Sequence, residues 1–300
     1  MSGARSLAAN PAFTLTAIAV LAIGIGANSA MFSVVKAVLL RPVPWEDPER
    51  LVLVQEARRE SGDTANASTA NYIDWREQNH VFEPMAPMRF VYFNLSDNRA
   101  EPERVQALRV TTDLFRLIGV KPVLGRLFLP EEEQTGGDRV VLLANGFWRQ
   151  RYSADPAIVG KHIRIEGETF TVVGVLPDFP MFRVLNRTLD IYAPLTLPQS
   201  ALSREDHSVF VYARLRPGVS LERARGEMDM IGRRLARGYP KTNTGWSVSV
   251  MPLTEAFADR DSEQLKFLMI AAAFVSKSAA VRLISVRHSH FSALSTNVTV

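Results

Sequence analysis

The chain has 300 residues and not one cysteine. That absence removes a disulfide scaffold, a thiolate metal site and a cysteine nucleophile together. Phosphate-binding signatures are missing too. Gly160-Lys161 is followed by His162 and has no glycine upstream in the register a phosphate loop needs. No nucleophile elbow and no His-Glu-x-x-His pattern occurs. An excess of one charge is also lacking: 35 Lys and Arg against 31 Asp and Glu give a formal +4, with arginines interspersed among glutamates. This argues against nucleic-acid binding as the main task. Long apolar runs are scarce, and there is a single convincing one.

That run lies near the start. From Ser6 to Val35 there is no charged side chain. A bilayer core of roughly 30 Å requires about 20 apolar residues in helix, and residues 11–40 supply them. A buried helix of a soluble domain would keep a polar stripe, which this run lacks. A cleavable signal peptide competes, with Met1 to Arg5 as a weakly basic start and Ala27-Asn28-Ser29 as a loose cleavage site. The apolar character continues past that site to Leu40, which favours an uncleaved membrane helix. Ala19, Ala22, Gly26, Ala30 and Ser33 recur at three- and four-residue spacing, a small-residue face for packing against another membrane helix. The competing reading is that Ala and Gly are common in membrane spans. Arg5 on one side balances Lys36 and Arg41 on the other, so charge leaves the orientation open.

After Arg41 the chain reads as water-soluble. Hydrophobic residues at 47% and charged residues at 22% suffice for a packed core. Pro42, Pro44 and Pro48 end the helix, with Trp45 placed as an interfacial anchor. Strands are expected at 51–54, 91–95, 105–110, 140–143, 161–165, 169–175, 209–215 and 246–250. An edge strand ended by proline is expected at 190–195. A helix capped by Thr69 or Asn71 should run to Asn79, and a short one should close on Gly119. Another should begin after Ser220 and stop at Gly238, with Leu221, Ala224, Met228, Ile231 and Leu235 on one face. Two β-α-β units, over 51–110 and 209–250, thus flank a strand-rich insert.

Catalytic chemistry is hard to find. His80, His162 and His207 are far apart and read as surface or loop residues, and His288 and His290 as tail residues. Glu131-Glu132-Glu133 after Pro130 reads as a solvated acidic turn. No paired carboxylates stand in a context that would tune either one. The expectation is a non-enzyme with no metal and no cofactor, a membrane-tethered domain that binds, couples or transmits force.

Several ordered stretches resemble one family: Asn10-Pro11-Ala12-Phe13, Gly24 to Ser33, Val38 to Pro42, Asn71-Tyr72-Ile73-Asp74-Trp75-Arg76, Gly119 to Arg126, Gly167 to Val175, Arg214 to Ser220 and Met251-Pro252-Leu253. Together they resemble MacB-like, FtsX-type ABC transporter permease chains, with a particular likeness to the duplicated orphan permeases of acidobacteria. The likeness spans about residues 5–275. It implies an α+β fold in which an N-terminal transmembrane helix precedes a two-lobed periplasmic domain. Porter-like β-α-β units would form one lobe and a strand-rich insertion the other. The corresponding boundaries are 1–10 for a cytoplasmic N-terminus, 11–40 for the helix, 45–115 and 206–262 for the porter-like lobe, and 116–205 for the inserted lobe.

The resemblance further implies the inner membrane as location and a separate cytoplasmic ABC ATPase as partner, because this chain carries none. It also implies pairing with a second permease chain, alike or different, and leaves room for a periplasmic or outer-membrane partner. Function would be coupling of ATP hydrolysis to export or mechanotransmission; the alternative is a single-pass anchored binding module without transport. The sequence departs from the family after Val275. Residues 263–275 read as the start of a second span, and 276–300 turn polar with Lys277, Arg282 and Arg287. About 11 apolar residues are too few to cross a bilayer, so a truncation or frameshift near Val275 is expected.

Overall fold

Strand β1, Leu51–Arg58, sends alternate side chains to two different cores. Leu51 and Leu53 join one apolar cluster, Val52 and Val54 the other. That is the period-two geometry of a strand buried on both faces. The computed structural model describes residue 26 and residues 47–96, 102–178 and 189–256. The architecture is mixed α and β around one large sheet.

In chain order the elements after β1 are β2 (Thr64–Ala65), α1 (Thr69–Gln78), β3 (Phe82–Leu95), β4 (Glu103–Val110), α2 (Thr112–Ile118) and β5 (Leu124–Gly125). There follow β6 (Val140–Ala144), α3 (Asn145–Tyr152), β7 (His162–Ile165), β8 (Glu168–Leu176) and β9 (Ile191–Pro194). The last are β10 (Phe210–Leu215), α4 (Leu221–Gly238), α5 (Pro240–Asn243) and β11 (Trp246–Pro252). The sheet runs β11-β1-β10-β3-β4-β9-β6-β8-β5, with β2 on β1 and β7 bridging β3 and β8.

The first four strands in that order belong to the two expected β-α-β units, and the units interlock. β10 lies between β1 and β3, while β1 lies between β10 and β11, all antiparallel. This is the split β-α-β arrangement. α1 and α4 cover one face through Tyr72, Trp75, Ala224, Met228, Ile231 and Leu235. On the other face α2 brings Leu114, Phe115, Leu117 and Ile118 to the second core, which continues through β4, β6, β8 and β9.

β3 is the spine between the two halves. Phe82 to Met88 pair with β10, and Met88 to Leu95 pair with β4. The sequence predicted only residues 91–95 of this strand; its first half carries Pro84 and Pro87. They are tolerated because β4 begins its pairing only at Met88, so among the described residues no strand pairs with the first half on that side. The opposite error occurs at β9. Expected at an edge, it is central and fully buried, parallel to β4 and antiparallel to β6. Its proline comes last, where one missing donor costs little.

Local rules place most other boundaries. Ser220 accepts from Arg223 N at 3.2 Å and caps α4 as expected. Ser68, rather than Thr69 or Asn71, caps α1 by accepting from Asn71 N at 3.3 Å. Gly119 closes α2 in the left-handed region. Glu166 and Gly167 both have positive φ, which makes the β7–β8 link a two-residue hairpin.

Candidate functional site

The Asn71-x-x-Asp74 spacing puts two polar side chains one turn apart near the start of α1, beside the buried rings of Tyr72 and Trp75. Asn71 is itself 3% exposed. Its carbonyl oxygen accepts from Arg204 Nη1 at 2.6 Å and from Asn243 Nδ2 at 3.0 Å. Its amide donates to Glu56 Oε1 at 2.9 Å. Glu56 is 2% exposed and accepts from Ser68 N at 2.8 Å as well. Its other oxygen lies 3.1 Å from His207 Nδ1. A buried carboxylate with this many donors is held by them; truncating it would strand each donor away from water.

The network reaches outward through cations on aromatic faces. Arg204 pairs with Asp74 at 2.7 Å, and its guanidinium carbon sits 3.3 Å from the Tyr239 ring centre. His207 lies against Trp246 with ring centres 5.0 Å apart, and Arg58 stands 3.9 Å over that same indole. Thr69 Oγ1 accepts from Ser203 N at 2.9 Å and donates to Ser203 O at 3.2 Å. Ala67 and Val209 exchange backbone hydrogen bonds. Residues 203–209, which carry the chain from β9 back to β10, are therefore stitched along the start of α1. Burial, in one core for Tyr72 and in the other for Tyr192, pushes both phenols well above their ordinary range.

A hollow beneath this joint is bordered by Glu56, Asn71, Trp75, Asn243, Trp246 and Val248. At about 10 Å³ it has room for about one water and no organic ligand. The arrangement is a joint rather than a binding cleft. Among the described residues no group of three or more His, Asp or Glu side chains is placed to hold a metal.

A second cluster explains the Gly119–Arg126 and Gly167–Val175 stretches. Gly125 and Gly174 are opposite each other in the β5–β8 pairing. A Cβ on Gly125 would lie 2.3 Å from Val173 O, and one on Gly174 would lie 2.7 Å from Leu124 O. Backbones this close admit only hydrogen at either position. Arg126 then forks onto Glu132 at 2.6 and 2.9 Å, and Glu132 also accepts from Leu129 N at 2.8 Å. Burial acts to raise the Glu132 carboxyl, but the Arg126 fork and the Leu129 amide win and hold it below its usual range.

Several expectations about single residues change here. Glu132 is 8% exposed in a 3-10 turn, Pro130–Glu133, and not part of a solvated acidic run. The reason is Arg126, six residues earlier and beyond any helical spacing. His207 lies in a loop as expected, but its ring reaches in to the buried Glu56; His80 and His162 are exposed as expected. Glu56, Arg204, Asn243 and Trp246 carried no local sign, since each partner lies far away in sequence. Of the proposed membrane-helix face, Gly26 is helical and exposed, and a Cβ built on it meets nothing within 4 Å. Ala19, Ala22, Ala30 and Ser33 lie outside the described residues, as do His288, His290 and the segment 263–300. Among the described residues no helix is long and apolar enough to cross a membrane.

The sequence profile of the MacB-like periplasmic core domain matches residues 14–231. Among solved structures, a domain of a protein described as a permease, from Porphyromonas gingivalis, aligns with a TM-score of 0.54 at 18% identity. That alignment covers 70% of this chain and 92% of the other. The periplasmic region of MacB from Actinobacillus actinomycetemcomitans aligns with a TM-score of 0.51 at 14% identity, covering 76% of this chain and 97% of the other. At such identities the structural likeness speaks for the fold alone. No curated protein sequence matches the chain.

Proposed function

This chain belongs to the MacB-like periplasmic core domain family of ABC transporter permeases, and from that premise we propose that its outer domain couples a separate cytoplasmic ABC ATPase to export or mechanotransmission. The role is mechanical and not catalytic. One observation carries the reading. Val52 at the start of β1 pairs with Pro252 at the end of β11. The two ends of the domain therefore emerge side by side, from neighbouring strands at one end of the sheet. A domain held between two membrane segments needs its tethers close together, and here a pull on either strand is shared through one hydrogen-bonded ladder.

The buried joint supports the same reading. Glu56, Asn71, Arg204 and His207 fasten the returning segment to α1 and β1, so displacement of the tethered strands reaches the far half of the sheet without a loose link. In this proposal residues 11–40 anchor the chain in the inner membrane, through a helix packed by Ala19, Ala22, Gly26, Ala30 and Ser33. A second permease chain completes the bundle.

The test is purification of the tagged full chain from its native membranes after mild cross-linking. An ABC ATPase recovered with it, whose ATP hydrolysis changes in the presence of the chain, is the expected result. Recovery of the chain with a second permease copy but without any ATPase overturns the coupling proposal.

A further inference from the structure

Arg89 and Arg109 stand directly opposite each other on β3 and β4, one residue beyond the point where β3 passes from β10 to β4. Facing residues on neighbouring antiparallel strands have Cβ atoms about 4.5–5.5 Å apart and share a face, and like charges there repel. Among the described residues their contacts leave most donors unused. Arg109 Nη1 donates to Pro194 O at 3.0 Å, and its guanidinium carbon lies 5.3 Å from the Phe93 ring centre. Arg89 Nη2 meets Asp206 at 3.2 Å, and that carboxylate is also engaged by Ser208 Oγ at 2.8 Å. Arg89 Nε is shielded from solvent and has no hydrogen-bond partner among the described residues. Each guanidinium carries five N–H donors in a fixed fork suited to oxyanions.

We propose that Arg89 and Arg109 form a binding site for a phosphate-bearing anion at the seam between the two halves of the sheet. The anion would take the orphaned Nε of Arg89 together with free donors of Arg109, relieving the like-charge pairing. Burial, and Arg89 beside it, lower the affinity of Arg109 for its proton, and Asp138 offsets this through space without forming an ion pair with it. Asp206 is the competing carboxylate: it comes from the segment 203–209, so occupancy of the site and the seating of that segment are linked. Free phosphate and a phospholipid headgroup share this chemistry.

The test titrates the full chain in neutral detergent with inorganic phosphate against chloride at constant ionic strength, following thermal unfolding by tryptophan fluorescence. In parallel, flotation measures binding to vesicles of phosphatidylglycerol and phosphatidylcholine. A saturable rise in Tm with phosphate, weakened at least tenfold in both Arg89→Gln and Arg109→Gln but unchanged in Arg223→Gln, is expected for the free anion. Flotation that depends on both arginines and is competed by phosphate assigns the headgroup instead. Asp206→Asn keeps both arginines and should tighten binding several-fold, so the proposal stays testable if an arginine variant fails to fold. No saturable response to either probe overturns it, as does a response that survives both arginine substitutions or an Asp206→Asn chain that binds no better.

Discussion

Gly125 and Gly174 show how narrow the tolerance is for single atoms in this fold. Gly125 has φ +74, and a methyl group there would press on the backbone of β8, which cannot rotate away. Gly125→Ala and Gly174→Ala should each cost about 3 kcal/mol in urea unfolding. Gly119 has a similar positive φ but open space around it, so Gly119→Ala should cost only about 1 kcal/mol. Equal losses at 119 and 125 would show that close approach is not the deciding factor. Glu132 provides a second residue-level expectation. Its carboxyl lies lower in the folded chain than the ordinary 4.5, so its stabilising contribution is complete above that pH. The contribution disappears as pH falls through the lower folded value. The Tm difference between the native chain and Glu132→Gln should therefore be largest near neutrality and shrink below about pH 4.5; a difference that is constant with pH contradicts the Arg126 fork as its source. The sequence shows the Gly-Arg pair plainly, but the three glutamates in a row concealed which one was buried.

Elements were legible where local rules act alone. The helical spacing of Leu221, Ala224, Met228, Ile231 and Leu235, begun by Ser220, specifies α4 without outside help. Ser220→Ala should remove one capping bond and lower stability by about 1 kcal/mol, measured by denaturant unfolding. No change in the unfolding midpoint would mean that the packed face fixes the helix start by itself. The β7–β8 hairpin was equally visible in its alternating strands around Glu166-Gly167. β3 was visible only over 91–95, and β9 was visible as a strand but not as a central one: a proline is acceptable or disruptive according to which neighbour lies on its N–H side. That neighbour is a property of the sheet and not of the strand. α1 also defeats a simple pattern: Asn71, Tyr72 and Trp75 are all buried, so polar and apolar positions no longer separate inside from outside.

At the scale of the whole molecule, the two cores are joined by β3 and by the segment 203–209. Glu56→Ala would leave Ser68 N and the Asn71 amide without their acceptor in a buried place, costing about 3 kcal/mol. The loss should be local in its first effect. Hydrogen exchange in the full chain should quicken at residues 66–72 and 202–209, while β6 and β8 keep their protection. Exchange that rises uniformly across both halves would show that the joint and the far core unfold as one. Asn71→Ala should produce the same regional pattern, since it removes the acceptor shared by Arg204 and Asn243.

The sequence by itself determined the compositional class, the strand and helix periods, the caps and tight turns, and enough ordered motifs to place the chain among the MacB-like permeases. Those signals act over a few residues, and a few residues suffice to read them. Only the tertiary structure decided that the two β-α-β units interlock and that the ends of the domain meet at Val52 and Pro252. It also decided that Glu56, Asn71, Arg204 and His207 form one buried joint, and that Arg89 faces Arg109. These are pairings between residues that the chain separates and the sheet brings together; their energies depend on register and burial, which no local pattern records.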